Sequence, residues 1–289
     1  MIKYDPKSWF SLLTHAYSRR VMFLLLPNML FFGLYSLALT YVIESYFGLK
    51  WEGTVTVHSL LGIVLGLFLV FRTNTAYDRW WEGRTVWGAL VNNTRNLAIK
   101  LHAYLPESDI ENRDFFARMI ANYPYALKEH LRAGVVREEM EMSDTMADTM
   151  MSKEHPPNFI AREIFEKTNA LYTSKVISGE QLYVINKEFT ALTDILGKCE
   201  RIRNTPIPYS YSMYMKKFIF LYIITLPFAF ITTFHYWTAP VVMVIFYILV
   251  STELIAEEIE DPFGNDDNDL PLDELSMKIR NNVKEILLK

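Results

Sequence analysis

The chain has 289 residues, enough for one large domain or two small ones, and its formal net charge of −4 argues against general nucleic-acid binding. Its single cysteine, Cys199, excludes an intrachain disulfide and a thiolate zinc site. The chain is 51% hydrophobic and 15% aromatic, and these residues are concentrated in four blocks, which predicts an integral membrane protein.

The N-terminal segment, residues 1–20, is polar but contains Trp9 and Phe10. Two interpretations are equally favoured: a short amphipathic helix at the membrane surface, or a partly ordered tail. The apolar run from Val21 to Phe47 begins too far along the chain and is too long for a signal peptide. It therefore predicts a first membrane span that is retained.

A second span follows the short turn at residues 48–53 and runs from about Val55 to Phe71. Within it, Ile63, Leu67 and Phe71 recur every four residues, which places them on one face of a helix. From the residues alone, ordinary helix packing is the favoured role for this face, and the lining of a pore is the alternative.

Two further features mark residues 21–82. Gly62 and Gly66 form a G-x-x-x-G pair, which favours close approach of a neighbouring helix. After the second span the helix is predicted to continue into the cytosol, and there we assign structural roles to three side chains. Trp80 and Trp81 are expected to anchor the helix at the membrane interface, and Arg79 is expected to pair with a carboxylate of a neighbouring helix.

Residues 83–215 predict a helical cytosolic region with no convincing strand alternation. Its acidic, methionine-rich part at about 137–158 is interpreted as a flexible insertion. Soft-metal binding by these methionines is a weaker alternative, because no histidine or cysteine accompanies them at regular spacing. The six histidines of the chain are scattered, with no pair at ligand spacing.

The last two spans are predicted within residues 216–256, at Phe218–Phe234 and at about Val241–Ile255. Residues 257–289 then form an acidic loop and a C-terminal helix. Lysine and arginine flank the spans on one side, so the positive-inside rule predicts a multi-pass protein of the inner (plasma) membrane with both termini in the cytosol. The fold class is thus all-α, with four transmembrane helices and a helical cytosolic domain.

No catalytic motif supports an enzyme, because the chain lacks a phosphate-cradling glycine loop and a nucleophile elbow. A secondary transporter is disfavoured because the spans carry almost no ionisable residues at mid-membrane. A membrane scaffold stays open as an alternative to a channel.

Three stretches carry a resemblance to a known family: FRTNTAYDRWWEGR (71–84), CERIRNTPIPYSY (199–211) and EEIEDPFGNDDNDLPLD (257–273). Together with the four-span layout, they resemble the bestrophin family in its branch of bacterial homologues. The resemblance covers most of the chain outside the insertion. It implies a homopentameric ion channel with one central pore, to which each subunit contributes its second span, and it requires no cofactor.

The resemblance also implies roles for individual residues. By position, the family's hydrophobic neck falls on Ile63, Leu67 and Phe71, and its cytosolic constriction falls on Ile207, which precedes Pro208. A ring of apolar side chains can gate a pore by dewetting, because it does not replace the hydration shell of an ion.

The acidic loop resembles the calcium clasp of animal family members. Matching positions give side-chain ligands at Asp266 and Asp269 and backbone carbonyl ligands at Glu258 and Asp261, and such oxygen ligands suit calcium. The sequence departs from the clasp at the N-terminal segment and at Asn265, where the family has an acidic residue. A solvated acidic turn that caps the last helix is the alternative.

The sign of the charge on the permeant ion is predicted from the side chains of the neck and from the charged residues near the two pore mouths. The middle neck residue, Leu67, lacks the positive ring edge that favours anions, and only Phe71 retains one. The outer turn carries Glu44 and Glu52 against Lys50. On the cytosolic side, further acidic residues are Glu257, Glu258 and Asp261. With the resemblance of bacterial members to cation channels, these features favour sodium and potassium, with chloride as the alternative.

Overall fold

A computed structural model describes residues 15–48, 55–132 and 134–289, and within these ranges the chain forms helices and turns but no β-strand. This confirms the all-helical prediction for the described part. Most of the predicted N-terminal segment and of the 48–53 turn, with Lys50 and Glu52, lies outside it. The α-helices are α1 Ala16–Thr40, α2 Val55–Tyr104, α3 Ile110–His130, α4 Asp144–Met151, α5 Pro156–Thr173, α6 Gly179–Asn204, α7 Tyr209–Phe234, α8 Thr238–Glu260 and α9 Leu272–Leu288.

The chain divides into two compact units, which are described separately. The first comprises the described parts of residues 1–79 and 206–260, and the second comprises residues 80–205 and 261–289. The first unit therefore contains α1, α7, α8 and the N-terminal half of α2. The remaining helices and the C-terminal half of α2 belong to the second unit.

Three helical segments of the described chain are long and apolar enough to cross a membrane: Ala16–Tyr46, Val55–Tyr104 and Tyr209–Glu260. The third has 52 residues. At about 1.5 Å per residue it would be about 78 Å long as one straight helix, whereas a bilayer core is about 30 Å thick. It is in fact two helices, because α7 ends where His235 adopts a positive φ of 48°. The predicted third and fourth spans fall on α7 and α8, and the count of four spans stays a prediction.

The first unit packs apolar side chains from all four of its helices into one core. The rings of Phe32 in α1 and Phe246 in α8 lie 5.2 Å apart between centroids. Close to them, a Cβ on Gly33 would lie 2.7 Å from Sδ of Met243, so this glycine permits the close approach of α1 and α8. Helices that are apolar on most faces suit a membrane protein better than a water-facing bundle.

The second unit has its own core around the fully buried Trp87, built from the C-terminal half of α2 and from α3, α5, α6 and α9. The stretch at 137–158, for which a flexible insertion is predicted, contains α4. Ser143 caps α4 by accepting a hydrogen bond from the backbone of Met146, and Met150 is fully buried. Methionines of this stretch supply an apolar contact to the core.

A buried ammonium group joins three segments of the second unit. Lys128 in α3 is only 1% exposed, and its Nζ lies 3.0 Å from Oε1 of Glu129 and 2.7 Å from Oε1 of Glu139. The third partner is Oδ1 of Asp273 in α9, at 2.6 Å. An ammonium that is removed from water in this way is stable only because carboxylates surround it.

The partners of this cluster shift each other's pKa values. Burial alone would lower the pKa of Lys128, but hydrogen bonds to Asp273, Glu139 and Glu129 raise it. Burial would likewise raise the pKa of Asp273, but Lys128 and Arg132 lower it. Because the folded-state pKa of Asp273 is depressed, its stabilising contribution is complete at neutral pH and is lost only as the pH falls through that lowered value.

We expect Lys128→Met to destabilise the protein at pH 7 by on the order of 3 kcal/mol, because it leaves three neighbouring carboxylates without their common cation. Thermal unfolding of the purified protein measures this. Arg137→Met is the matched control, since Arg137 pairs with Asp144 and Asp148 on the exposed surface, where ion pairs contribute little. An unchanged melting temperature for Lys128→Met would contradict this role.

Candidate functional site

The three predicted neck residues form an exposed apolar stripe on α2. Ile63 is 72% exposed, and Leu67 and Phe71 are each 55% exposed. The opposite face of the same helix segment buries Leu65 and Leu69 in the core of the first unit. Packing within the chain therefore does not account for the stripe, and its apolar side chains are available to line a passage or to contact lipid or another chain.

The residue that follows the stripe is a buried arginine. Arg72 is 1% exposed, and its Nε lies 3.3 Å from Oε1 of Glu253, while its Nη2 lies 2.7 Å from Oε2 of Glu260. Both carboxylates belong to the C-terminal half of α8. A guanidinium with two carboxylate partners forms strong, directional hydrogen bonds, so this cluster fixes the position of α2 against α8 at the end of the stripe.

The carboxylate of Glu260 also binds the backbone of Ile207, the residue predicted to form the cytosolic constriction. Its Oε1 accepts a hydrogen bond of 2.9 Å from the backbone N–H of Ile207, and its Oε2 is the partner of Arg72. The backbone carbonyl of Glu260 accepts a further bond from Nε of Arg79, at 3.0 Å. One residue at the end of α8 therefore connects the helix that carries Phe71 with the segment that carries Ile207.

The other predicted structural residues have different surroundings. A Cβ on Gly62 would lie 2.9 Å from the hydroxyl of Tyr222 in α7, whereas a Cβ on Gly66 would meet nothing within 4 Å. Only the first glycine of the pair thus supports close packing within the chain. In the second unit, Nε1 of Trp80 donates to the backbone carbonyl of Asn268 at 3.0 Å, and Trp81 is exposed.

The acidic loop of the second unit is held by its own groups. Asp269 is buried, and its Oδ2 accepts a hydrogen bond of 2.5 Å from the backbone N–H of Asp266. The guanidinium of Arg132 donates to the backbone carbonyls of Phe263 and Gly264, at 3.0 Å each. A cation therefore already contacts this loop, and a calcium role for Asp266 and Asp269 stays a prediction.

The other two predicted calcium ligands have the following surroundings. The side chain of Glu258, in the first unit, accepts a hydrogen bond of 2.9 Å from the hydroxyl of Tyr17. Asp261 is exposed at the start of the acidic loop. The roles predicted for their backbone carbonyls also stay predictions.

Comparison of the sequence with protein-family profiles identifies the family of the chain. The profile described as Bacterial/Fungal Bestrophin protein matches residues 1–285. The chain belongs to the bacterial and fungal bestrophin family. The resemblance carried by residues 71–84, 199–211 and 257–273 is therefore confirmed.

Relatives of known name support the same assignment. The voltage-dependent anion channel-forming protein of Nostoc sp. is 40% identical over 229 residues, which are 78% of this chain and 75% of the relative. Voltage-dependent anion channel-forming protein YneE of Escherichia coli is 32% identical over 83% of this chain and 79% of its own length. A solved bestrophin homologue from Klebsiella pneumoniae, carrying one substitution, superposes with a TM-score of 0.82 at 28% identity and covers 93% of this chain and 100% of its own.

Sequence reasoning missed the Arg72, Glu253 and Glu260 cluster. A signal for it was present, since an arginine directly after an apolar span and two glutamates late in another apolar helix are each unfavourable unless paired. The pairing itself joins residues about 180 positions apart, which no local pattern reports.

We expect Glu260→Ala to lower the melting temperature and to change ion flux, because it removes one partner of the buried Arg72 and the acceptor of the Ile207 N–H. Loss of a buried partner costs on the order of 3 kcal/mol, or roughly 6–12 °C in melting temperature. Glu257→Ala is the control, since Glu257 forms an exposed pair with Lys216. Equal effects of the two substitutions in unfolding and liposome flux assays would contradict the assigned role.

Proposed function

We propose that the chain assembles as a homopentamer around one central pore and passively conducts small monovalent anions. The observation that carries the proposal is the similarity to relatives named as anion channel-forming proteins, which reaches 40% identity over 78% of the chain. The family and these channel names point to a channel and not to an enzyme. The protein is a membrane protein, and we extend this to the inner membrane with both termini in the cytosol.

The exposed stripe supports a ring of subunits. A helix face with Ile63, Leu67 and Phe71 exposed contributes little to the core of its own chain. Five copies of such a face around an axis would enclose a narrow apolar neck, which a single chain with so few spans does not enclose. The apolar neck would then control conduction by its wetting.

The cation preference predicted from the sequence is not supported, and the structure weakens the charge argument on which it depended. Oε1 of Glu44 lies 2.6 Å from Nδ1 of His235, and Oε1 of Glu257 lies 2.9 Å from Nζ of Lys216. Acidic groups with such close basic partners contribute little net field to a pore mouth. The remaining neck feature, the ring of Phe71, presents a positive edge that suits an anion.

Reversal potentials test the proposal directly. We expect purified protein in liposomes with asymmetric potassium chloride to give a reversal potential near the chloride equilibrium value, and Leu67→Phe to strengthen this preference because it adds a second aromatic ring. Mass measurement in detergent is expected to give five chains per particle. A reversal potential that follows potassium would overturn the anion assignment, and a stable monomer would overturn the pore.

The neck and the constriction are separately testable. Replacing Ile63, Leu67 and Phe71 together by alanine is expected to widen and wet the neck and so to raise flux several-fold, whereas Ile207→Ala is expected to act through the second constriction. The control is the joint replacement of Leu30 and Leu34 by alanine. These two leucines are exposed on α1 with the same four-residue spacing. If the control raises flux as much as the neck variant, the stripe has no special role.

A further inference from the structure

Three side chains of the second unit converge at a point where three helices meet. They are His130 at the end of α3, His155 immediately before α5, and Glu200 in α6. Nε2 of His130 lies 2.8 Å from Oε1 of Glu200, and Nδ1 of His155 lies 3.5 Å from the same oxygen. All three ligand atoms lie within 4.8 Å of one another. The sequence indicated no histidine pair at ligand spacing, and the fold creates one.

We propose that His130, His155 and Glu200 form a binding site for a divalent transition-metal ion, with Zn²⁺ as the best fit. Tetrahedral zinc with ligands at about 2.0–2.1 Å has ligand atoms about 3.3 Å apart, close to the two separations given above. Two imidazoles and one carboxylate are ligands that zinc accepts, and water completes the coordination. This donor set differs from the all-oxygen set that calcium prefers.

A second group of three acidic side chains in the same unit shows why the histidine group stands out. Glu129, Glu139 and Asp273 also bring their ligand atoms within 4.8 Å of one another. That group already surrounds Nζ of Lys128 at 2.6–3.0 Å, so a protein cation occupies it. At the histidine group the described contacts are those among the three ligands themselves.

The neighbouring residues fix the positions of the two histidines and leave their rings available to bind a metal. Nη1 of Arg203 donates to the backbone carbonyl of His130, which fixes the end of α3 and leaves the imidazole ring available. The side chain of His155 makes no capping hydrogen bond to α5, and the residue is exposed on the side of a cavity of about 430 Å³. His130 and Glu200 are half-buried, so the site is partly shielded from solvent.

Metal binding at this point would link α3, α5 and α6 and anchor the end of the segment that contains α4. Any ligand that binds the folded state alone stabilises it by mass action. At a hundredfold excess over its Kd, Zn²⁺ is expected to raise the melting temperature by roughly 5 °C or more.

The test uses full-length protein in detergent, stripped of metal with a chelator and titrated with zinc chloride. We expect calorimetry to give one Zn²⁺ per chain and tryptophan fluorescence to report the rise in melting temperature. His155→Ala and Glu200→Gln are each expected to weaken zinc binding by at least about tenfold, because each removes one ligand of the metal. His155→Ala is expected to leave folding intact, since the His155 side chain is exposed and makes no capping hydrogen bond.

The chain offers a matched control. His235 also lies against a carboxylate, that of Glu44, but this pair belongs to no three-ligand group among the described residues. His235→Ala should therefore leave zinc binding unchanged. Co²⁺ in place of Zn²⁺ should give visible absorption bands of a tetrahedral site in the wild type and in His235→Ala, and not in His155→Ala.

Two outcomes would overturn the proposal. One is the same zinc stoichiometry and thermal shift in the wild type, His155→Ala and Glu200→Gln. The other is no zinc binding by the wild type, in which case His130 and Glu200 form only a hydrogen-bonded pair. Glu200→Gln keeps the size of the side chain and one acceptor oxygen, and an unchanged melting temperature of this variant without zinc would show that loss of binding is not due to unfolding of α6.

Discussion

The buried guanidinium of Arg72 is the constraint on which the first unit depends. A charge removed from water needs partners that replace its hydration, and Glu253 and Glu260 supply them from α8. Because Arg72 directly follows Phe71, the same contacts fix where the apolar stripe ends. Because the other oxygen of Glu260 accepts from the backbone N–H of Ile207, they also fix the segment that carries Ile207.

The sequence predicted those features that depend on local periodicity. The apolar spans, the four-residue spacing of Ile63, Leu67 and Phe71 and the all-helical character all follow from patterns within about 20 residues. The features that no local pattern predicted depend on distant contacts. Arg72 meets partners about 180 positions away, and His130 meets His155 and Glu200 across α4 and α5, with Glu200 70 positions away.

The segment at 137–158 contains a helix that its composition alone did not indicate. Acidic and methionine-rich sequence is typical of flexible loops, yet Met146 and Met150 are spaced to share one face of a helix. The backbone of Glu141 is held by the amide side chain of Asn122, which donates to its carbonyl at 3.1 Å and accepts from its N–H at 2.9 Å. Burial of Met150 then offsets the entropy of ordering the segment.

Ion selectivity likewise depends on where the charged residues lie and not only on their number. A tally of acidic side chains near the pore mouths favoured cations, but Glu44 and Glu257 each have a basic neighbour within 3 Å. What such groups contribute to a pore depends on the charge left after pairing, and this is a property of the fold. The stripe itself carries no charge, so in the proposed channel selectivity at this level would come from the orientation of the Phe71 ring and from the work of dehydrating the ion. Since these residues contribute little to the core of their own chain, the face of α2 proposed for conduction differs from the face that packs the fold. The buried face, with Leu65, Leu69 and Arg72, holds the helix in the first unit, and the exposed face is the one that the proposed pore would use.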